Sequence, residues 1–511
     1  MLNFEKIVTN HEILEIEKNA IKSGLKESIL IERAGQKISE FLSDTISNRK
    51  QILFVIGKGK NGKDGYVAFK NLIKKNFNCN ILFVFPKLNY DNWESLPTNF
   101  SKSVFYYDKT NQFHKLIQES DVIIDGIFGT GLNRNLNDNL KKLIYFINQQ
   151  NKQVISIDLP SGLSDTNSFT DNKNTIIASK TLSLTAIKNN CLNFHTQKYA
   201  NTLINFDIGI SKFPESYKPK FLIDKEQSMK LIPNKDKYGN KRSGGNISII
   251  GGSTRYPGAI LMASSACIET GIGLINISIP SKIYDVVAGQ IPEVSLNIDK
   301  ESNEYITKES IKSILEKQSI NSIMFGPGME TNKTTINATK YLIKNIANNK
   351  KINSLLIDAD GLNCLSEIND WWNNNFPKNF VITPHLGEFS RLTKLSKKEI
   401  ENNPIEIVCN YAKKCNATIM LKGPLSYISD GIETYVLDQP NPALSKGGSG
   451  DVLSGITSSF LAQGLNSIEA SILGVSLLSK LGDLTEKNHG ILSSSATKLI
   501  KAINKIKNYE W

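Results

Sequence analysis

The sequence predicts an α/β protein with two domains, each built on a parallel sheet that is covered by helices. Three observations predict this fold class. The 511 residues exceed the size of one ordinary domain. Short, continuous apolar runs alternate with helical patterns in both halves, which is typical of parallel strands that are buried on both faces. Several of these runs end in glycine-rich turns or in a carboxylate, and ligands of such sheets bind beyond the carboxyl ends of the strands.

The first half reads as a Rossmann-like parallel-sheet sandwich. A helical pattern covers residues 10–46, and the glycine loop GKGKNGKDG at 57–65 separates the first strand from a helix predicted at 66–75. This loop is neither a G-x-G-x-x-G motif nor a Walker P-loop, but a glycine loop that opens a helix is a candidate anion site. The apolar runs predict strands at 51–56, 80–85, 121–125, 153–158, 180–185 and 202–207.

Polar side chains follow three of these predicted strands. Asn61 lies in the glycine loop, and Asp125 and Ser161 lie at the ends of the third and fourth apolar runs. Amide, carboxylate and hydroxyl oxygens are the ligands that a hard cation prefers, so the three residues form a candidate cation site. Taken singly, each of them could instead form a turn or a helix cap.

The two domains are joined by a segment of different composition. Residues 211–240 contain three prolines and many charges without clear periodicity, which predicts a linker and a domain boundary. We therefore expect a first domain at 1–215, a boundary region at 216–240 and a second domain at 225–511.

The second half begins a new α/β pattern. NISIIGGSTRYPGAIL predicts a strand, a glycine turn and a helix from about Pro257. Later predicted strands lead into GPG at 326–328, DADGLN at 358–363 and TPHLGE at 383–388. Asp430 and Gly431, between two β-rich runs, predict a hairpin.

The stretch NPALSKGGSGDVLSG at 441–455 carries the strongest chemical signal. Its glycines predict a loop that opens a helix, where backbone N–H groups and the helix dipole stabilise phosphate oxygens. Asp451 follows this loop directly, and a carboxylate beside bound phosphate could take a proton from a hydroxyl that faces the phosphoryl group. The alternative is a plain helix start with Asp451 as a partner of the dipole.

Composition limits the classes of partner. The formal net charge is +12, from 61 lysines and arginines against 49 acidic residues, and the lysines are scattered rather than clustered. A polyanionic small molecule would be attracted, but no basic and aromatic array indicates nucleic acid binding. No apolar run is long enough for a membrane helix, the first residues lack the apolar core of a signal peptide, and the six cysteines show no metal spacing. We expect a cytoplasmic protein without nucleic acid or membrane partners.

The runs GKGKNGKDG, DGIFGTGLNR and IDLPSGLS resemble the N-terminal domain of the NAD(P)HX epimerases, which interconvert the R and S hydrates of nicotinamide nucleotides. The resemblance implies a potassium ion at Asn61, Asp125 and Ser161, and it implies that Asp158 is the acid–base residue. Two departures from the family are Lys60 and Lys63, where asparagine and glycine are more usual. By the same resemblance, the nucleotide site comprises Lys60, Asn61, Gly62, Lys63, Asp64, Gly129, Thr130, Gly131, Leu132, Asn133, Arg134, Asn135 and Asp158.

The second half resembles the ribokinase-type superfamily and, more closely, the ADP- or ATP-dependent NAD(P)HX dehydratases, which implies a ribokinase-like α/β/α domain with Asp451 as catalytic residue. The resemblance rests on GGSTRYPGA, GPG, DADGLN, TPHLGE, LKGP and NPALSKGGSGD together. It departs from the family at Leu386, where proline is usual, and at Pro424-Leu425-Ser426. The implied hydrate site comprises Ala259, Gly328, His385, Leu386, Gly387, Glu388, Arg391 and Asp451. The implied nucleotide site comprises Lys422, Gly423, Pro424, Leu425, Ser426, Asn441, Lys446, Gly447, Gly448, Ser449 and Gly450.

Two assignments stay open within this second set. His385 could be a helix cap or a ligand, and the TPHxGE context favours a ligand. Asp358 and Asp360 could hold Mg²⁺ near phosphates, or they could cap the helix that follows.

The combined resemblance implies a bifunctional repair enzyme. We expect epimerisation of hydrated NADH and NADPH in the first domain, and dehydration of the S form with ADP or ATP in the second, with potassium and magnesium as ions. We also expect a homo-oligomer. The alternatives are a ribokinase-like vitamin or sugar kinase, and a first domain that only binds nucleotides or acts as a scaffold.

Overall fold

The computed structural model describes residues 2–90, 93, 102–107, 112–132, 135–163, 174–299, 301–317 and 319–506. The chain forms two compact units. The first unit spans Glu5–Lys218, and the second begins at Pro219 and also includes the N-terminal residues up to Phe4. Among the described residues, no helix has both the length and the apolar character needed to cross a bilayer.

The first unit is a sheet with helices on both faces. Its strands are β1 (Glu5–Val8), β2 (Ile52–Ile56), β3 (Cys79–Phe83), β4 (Val104–Tyr106), β5 (Val122–Gly126), β6 (Gln153–Ile157), β7 (Lys180–Leu184), β8 (Ile187–Lys188) and β9 (Thr202–Phe206). Its helices are α1 (Asn10–Lys22), α2 (Glu27–Thr45), α3 (Lys60–Lys74), α4 (Gln112–Glu119), α5 (Asp138–Gln149) and α6 (Gln197–Ala200).

Seven of these strands form one parallel sheet, in the order β4-β3-β2-β5-β6-β7-β9. β1 pairs in parallel with β8. Alternate residues of β2 enter the two apolar cores: Phe54 packs with α1, α2 and α3, and Val55 packs with α4 and α5. Because both faces are covered in this way, the strands read as continuous apolar runs.

The helix after the glycine loop differs from its prediction. α3 begins at Lys60 rather than at residue 66, with Gly59 as its N-cap residue, so that Gly62 and Gly65 lie inside the helix. A loop was predicted at these positions because glycine has a low helix propensity. Close packing is the reason for glycine here, since a Cβ on Gly62 would lie 1.9 Å from the Gly57 carbonyl oxygen. The helical pattern at 10–46 is likewise divided into α1 and α2, and Gly24 between them has a φ of 100°.

The second unit contains the larger sheet. Its strands are β10 (Lys220–Leu222), β11 (Asn246–Ile250), β12 (Leu274–Pro280), β13 (Ser295–Asp299), β14 (Ser322–Phe325), β15 (Ser354–Ile357), β16 (Asn379–Ile382), β17 (Thr418–Leu421), β18 (Leu425–Ser429) and β19 (Thr434–Asp438). Its helices are α7 (Lys225–Ser228), α8 (Pro257–Glu269), α9 (Tyr284–Ala288), α10 (Lys308–Leu315), α11 (Lys333–Asn345), α12 (Asp360–Ser366), α13 (Leu386–Thr393), α14 (Lys397–Asn402), α15 (Pro404–Cys415), α16 (Ser449–Ala462), α17 (Ser467–Ser493) and α18 (Ala496–Ala502).

Within this unit the strand order is β13-β12-β11-β14-β15-β16-β17-β18-β19-β10. The neighbouring strands from β13 to β17 are parallel, whereas β18 is antiparallel to both β17 and β19. The predicted hairpin at Asp430 and Gly431 is confirmed, and Gly431 has a φ of 88°. The predicted α/β class with parallel sheets is therefore confirmed in both halves.

The predicted boundary region, 216–240, contains regular structure as well as irregular segments. The two units divide within it, between Lys218 and Pro219. The region contains β10, which pairs with β19, and α7. Ile223 and Met229 are buried in the core of the second unit, so part of the region after Pro219 packs into that unit.

Candidate active sites

The first unit has a cavity of about 370 Å³, which is lined by residues that follow β2, β5 and β6 and by side chains of α1 and α2. Eight of the predicted nucleotide-site residues line it, namely Lys60, Asn61, Asp64, Gly129, Thr130, Gly131, Leu132 and Asp158. The structure therefore brings together most of a site that the sequence spreads over about a hundred residues.

The other predicted residues of this site are placed differently. Gly62 packs against the Gly57 turn, and Lys63 is half-buried outside the residues that line the cavity. Asn135 is exposed and also lies outside that set. Asn133 and Arg134 lie outside the described residues.

The three oxygen donors of the predicted cation site meet beneath this cavity. The Asp125 carboxylate is fully buried and accepts hydrogen bonds from the Ser161 hydroxyl (2.5 Å) and the Ser161 amide (2.8 Å). The Ser161 hydroxyl oxygen also accepts from the Phe128 amide at 2.9 Å, and Asn61 Nδ2 donates to the Phe128 carbonyl at 2.9 Å. Asn61 Oδ1 is buried and has no hydrogen-bond partner within the described part of the chain.

Asp158 follows β6 in a conformation that is uncommon for a residue with a side chain, since its φ is 65°. Its Oδ1 accepts hydrogen bonds from the Leu184 amide at 3.3 Å and from the Lys188 ammonium. Lys188 is 1% exposed, so this ion pair is buried. No sequence signal had marked Lys188 as part of the site.

Lys60 stands at the mouth of the cavity between two glutamates. Its Nζ lies 2.7 Å from a carboxylate oxygen of Glu27 and 3.4 Å from one of Glu17. Burial raises the pKa of Glu17, and the Lys60 charge opposes this shift. Glu17 on α1 and Glu27 on α2 were not predicted as site residues, because they belong to no motif.

The second unit has a cavity of about 620 Å³ beside the glycine turn that opens α16. Seven of the predicted nucleotide-site residues line it, namely Lys422, Gly423, Pro424, Ser426, Asn441, Ser449 and Gly450. His385 also lines it. This set contains backbone, hydroxyl and ammonium donors, which suit an anionic ligand.

The remaining predicted nucleotide residues do not line this cavity. Leu425 is buried in β18, where strand alternation directs its side chain into the core while Ser426 faces the cavity. Lys446 and Gly447 are exposed. Gly448 caps α16 with a φ of 89°, and a Cβ there would lie 2.3 Å from the Met262 sulfur.

Asp451 lies in the first turn of α16 and is half-buried. It is not among the residues that line the 620 Å³ cavity. Burial, followed by the charge of Asp358, raises the pKa of Asp451 to about 7, and the Lys422 charge opposes the shift. A carboxylate that titrates near neutral pH suits a residue that takes up and releases a proton.

Lys422 and Asp358 form a buried ion pair next to Asp451. Lys422 Nζ lies 2.6 Å from Asp358 Oδ1, and the Ser454 hydroxyl donates to Asp358 Oδ2. Burial lowers the pKa of Lys422, but the carboxylates of Asp358 and Glu388 outweigh this and raise it. Lys422 therefore stays charged next to the N-terminus of α16, where a Cβ on Gly450 would lie 3.5 Å from its Nζ.

His385 is both a helix cap and a cavity residue. A cap role and a ligand role for this side chain are therefore compatible. Its Nδ1 accepts hydrogen bonds from the amides of Gly387 (2.9 Å) and Glu388 (3.2 Å), and its own amide donates to the Glu388 carboxylate. Burial, followed by the charges of Lys422 and Arg391, lowers the pKa of His385. The ring is therefore neutral at pH 7, as an accepting Nδ1 requires. Leu386 begins α13 directly after this cap.

The other predicted hydrate-site residues lie on neighbouring turns. Arg391 donates two hydrogen bonds to Asn363 Oδ1, at 2.7 and 3.2 Å. A Cβ on Gly328, whose φ is 64°, would lie 2.9 Å from the Ala259 Cβ. Burial raises the pKa of Glu388. The acidic residues Asp358, Asp360 and Glu388 all raise the pKa of Asp451, which places them around one centre.

Asp358 and Asp360 each already have protein partners. Asp360 accepts hydrogen bonds from the Glu330 amide at 3.0 Å and from Asn363 Nδ2 at 3.2 Å. Asp358 accepts hydrogen bonds from Lys422 Nζ and from the Ser454 hydroxyl group. Within the described residues, no group of three or more His, Cys, Asp or Glu side chains could hold a metal ion. These contacts account for both aspartates in the structure, and their role as Mg²⁺ ligands stays a prediction.

Comparison with known proteins agrees with this division into two sites. The family described as NAD(P)H-hydrate dehydratase matches residues 247–505, and the YjeF-related protein N-terminus family matches residues 27–190. A bifunctional NAD(P)H-hydrate repair enzyme from Dictyoglomus turgidum is 30% identical over 517 aligned residues, which cover 98% of this chain and 97% of that protein. One from Thermosynechococcus vestitus is 29% identical, with 90% and 89% covered.

Among solved structures, a ribokinase-like superfamily protein from Enterococcus faecalis matches with 26% identity and a TM-score of 0.49, covering 58% of this chain and 99% of that one. The family matches cover both halves, and the relative from Dictyoglomus matches along nearly the whole chain. The chain therefore belongs to the family of bifunctional NAD(P)H-hydrate repair enzymes.

Proposed function

We propose that the first unit interconverts the R and S hydrates of NADH and NADPH, and that the second unit removes water from the S hydrate at the expense of ADP or ATP. The observation that carries this proposal is that each unit has its own cavity at a glycine-rich helix start, with a buried carboxylate centre beside it. Two such sites in one chain suit two reactions on one type of substrate.

In the second unit, the hydroxyl group of the hydrate is a poor leaving group and must be activated. Asp451 takes the proton of this hydroxyl while its oxygen attacks the terminal phosphorus of the nucleotide. The amides from Gly447 to Gly450, with the Lys422 ammonium, stabilise the charge of the phosphoryl group in transfer. The ring nitrogen then expels phosphate from the carbon, and loss of a proton from the neighbouring carbon restores the reduced nicotinamide. Magnesium would enter with the nucleotide phosphates, which together with one or two carboxylates are the usual ligands of this ion.

Titration of Asp451 sets the pH dependence of this reaction. Because its carboxylate must be ionised to accept a proton, and because its pKa is raised to about 7, activity is present above this pH and is lost below it. We expect kcat/KM for the S hydrate at saturating ADP to fall about tenfold per pH unit on the acid side. Steady-state rates from about pH 5 to 9 check this, with ADP binding measured in the same buffers as the control. A profile that stays flat through neutral pH contradicts it.

In the first unit, the Asp158 carboxylate takes the proton of the hydroxyl group while a carbonyl forms at that carbon and the bond from the carbon to the ring nitrogen breaks. The nitrogen then closes the ring on the opposite face of the carbonyl, and Asp158 returns the proton to the oxygen, so that the carbon is inverted. The cavity walls hold the dinucleotide, with Gly129 and Gly131 allowing the backbone close to its pyrophosphate. Lys60 supplies positive charge at the cavity mouth.

The oxygen cluster beneath the cavity fits a potassium ion. Asn61 Oδ1 is a buried acceptor that has no hydrogen-bond partner among the residues that the structure describes. Hydrogen bonds through Phe128 connect Asn61 with Asp125 and Ser161 in one group of oxygen atoms. Neutral and singly charged oxygen donors of this kind suit a hard monovalent cation. A potassium ion held there would add positive charge beneath a bound pyrophosphate.

Replacing Asn61 with leucine tests this ion. We expect KCl, compared with NaCl at equal ionic strength, to raise the Tm of the wild-type chain, because an ion that binds only the folded state stabilises it. The Asn61→Leu variant should lose this difference, since the leucine removes the orphaned acceptor and fills its place. Thermal unfolding in the two salts measures the effect. Equal potassium dependence in both proteins would contradict the assignment.

The proposed function as a whole is tested by incubating the purified chain with mixed R and S hydrates, with ADP and ATP in separate reactions. We expect both hydrates to be consumed, reduced nicotinamide absorbance to return, and free phosphate to appear in equal amount. A small-metabolite kinase would instead leave the hydrates unchanged and produce a stable phosphorylated compound from a vitamin or sugar. Consumption of the S hydrate alone would contradict the proposed role of the first unit only.

A further inference from the structure

The first unit buries a lysine that belongs to none of the glycine motifs. Lys188 ends the short strand β8 and is 1% exposed, and it is absent from the residues that line the cavity. A buried ammonium is costly unless it is paired. The Lys188 ammonium donates to Asp158 Oδ1, and at 2.8 Å to the Leu184 carbonyl. Its positive charge is therefore paired with Asp158, the residue that we propose as the proton-transfer group of epimerisation.

Neighbouring strand ends build this pair. Asp158 follows β6, and its amide donates to the Leu182 carbonyl of β7 at 2.8 Å. The chain then leaves β7 through Thr185, whose φ is 71°, and returns Lys188 to the same point. Leu184 contacts both partners, since its amide donates to Asp158 Oδ1 and its carbonyl accepts from Lys188. The unusual φ of Asp158 is held by these bonds.

The two oxygens of Asp158 are thereby given different tasks. Oδ1 is occupied by Lys188 and the Leu184 amide. Oδ2 points towards the Gly129 turn of the cavity, where a Cβ on Gly129 would lie 3.2 Å from it. Within the described part of the chain, no hydrogen bond to Oδ2 is formed. One oxygen is therefore anchored and the other is presented to the substrate.

Charged side chains on neighbouring helices lie near Asp158. Glu17 on α1 and Asp64 on α3 both repel its negative charge. Lys60 on α3 is positive, but its charge is shared with Glu17 and Glu27. Lys188 is the buried cation in direct contact with Asp158 among the described residues, and it offsets the two carboxylates.

We propose that Lys188 is a positioning residue for epimerisation: it holds Oδ1 of Asp158 and fixes the rotamer of this side chain so that Oδ2 faces the hydrate. The inference rests on the proposed function of the first unit. Lys188 acts through Asp158 and does not touch the substrate.

Exchanging Lys188 for methionine, which keeps the apolar stem and removes the charge, is the test. In full-length Lys188→Met, we expect epimerase kcat to fall on the order of 10²-fold through misplacement of the base. KM should change by less than about threefold, because substrate contacts are kept. Lys188→Arg, which keeps a charged donor at this position, should lose less rate than Lys188→Met.

Two controls isolate the effect. Lys198→Met removes an exposed lysine of α6 and should leave kcat and KM of epimerisation unchanged. ADP-dependent dehydration of the S hydrate by the same preparations should be equal in all variants. A Lys188→Met chain with wild-type kcat, or with the loss confined to KM, overturns the inference. A wild-type chain that does not interconvert the hydrates contradicts the proposed function itself.

If the Lys188→Met variant is recovered unfolded because its buried carboxylate is unpaired, a double variant decides. Asp158→Asn/Lys188→Met removes both charges, so under the inference it should fold and unfold at a Tm above that of either single variant. A double variant as unstable as Lys188→Met would give Lys188 a packing role that is independent of Asp158 and would overturn the inference.

Discussion

Asp451→Asn is expected to lower ADP-dependent dehydration on the order of 10²–10⁴-fold, because asparagine keeps the shape of the side chain but cannot accept the hydroxyl proton. The carboxylate lies among Asp358, Asp360 and Glu388, with Lys422 as the opposing charge. Removing one negative charge next to bound phosphates should leave ADP affinity equal or tighter. The measurement is phosphate release from S hydrate plus ADP, with ADP binding measured by calorimetry.

The matched control is Asp285→Asn, which changes an exposed aspartate in the first turn of α9. It should keep wild-type dehydration. The epimerase rate of Asp451→Asn should also be that of the wild-type chain, because the proposed epimerase chemistry uses other residues. Near-wild-type phosphate release by Asp451→Asn would remove Asp451 from proton transfer, and a large loss of ADP binding would make it a nucleotide contact instead.

Much of the fold was predictable because both sheets bury their strands on both faces. β14 and β15 end directly before GPG at 326–328 and DADGLN at 358–363, as their apolar runs predict, and the hairpin of β18 and β19 follows from Asp430 and Gly431. An error arose where glycine had a packing role inside a helix, as at Gly62. Buried apolar residues such as Ile223 were not identified because they stand among charges. Local propensity cannot distinguish these cases, since tertiary packing decides them.

The residues of the candidate sites were likewise predictable only in part. Motif residues such as Asn61, Asp125 and Ser161 were predictable because they follow neighbouring strands, and the structure brings them into contact. Their ligand role stays a prediction. Lys188 was not predictable, because its role depends on the return of the chain from β7 to Asp158, and a lone lysine in an apolar run carries no motif. The membership of the chain in the repair-enzyme family, which the combined motifs predicted, is confirmed.

Asp158→Asn should leave the R hydrate unrepaired beyond its spontaneous rate, a loss of epimerisation on the order of 10²–10⁴-fold. Asparagine can still accept from the Leu184 amide, so the rotamer is partly kept, but Oδ2 no longer serves as a base. With ADP present, the variant should consume S hydrate at the wild-type rate and then stop at spontaneous epimerisation. Chromatographic separation of the two hydrates over time measures this, and Asp138→Asn, at a 90% exposed side chain, is the control.

Stability separates a lost base from a damaged fold. Removing one partner of a buried ion pair typically destabilises a protein by about 3–5 kcal/mol. Asp158 and Lys188 are 12% and 1% exposed, so Asp158→Asn should lower Tm by leaving the Lys188 ammonium unpaired. Adding Lys188→Met to Asp158→Asn should raise Tm again while epimerisation stays lost. This result would show that the loss of activity comes from the missing base and not from lower stability. Equal consumption of R and S hydrates by folded Asp158→Asn would exclude Asp158 as the proton-transfer group, and Lys188 would then have no catalytic partner to position.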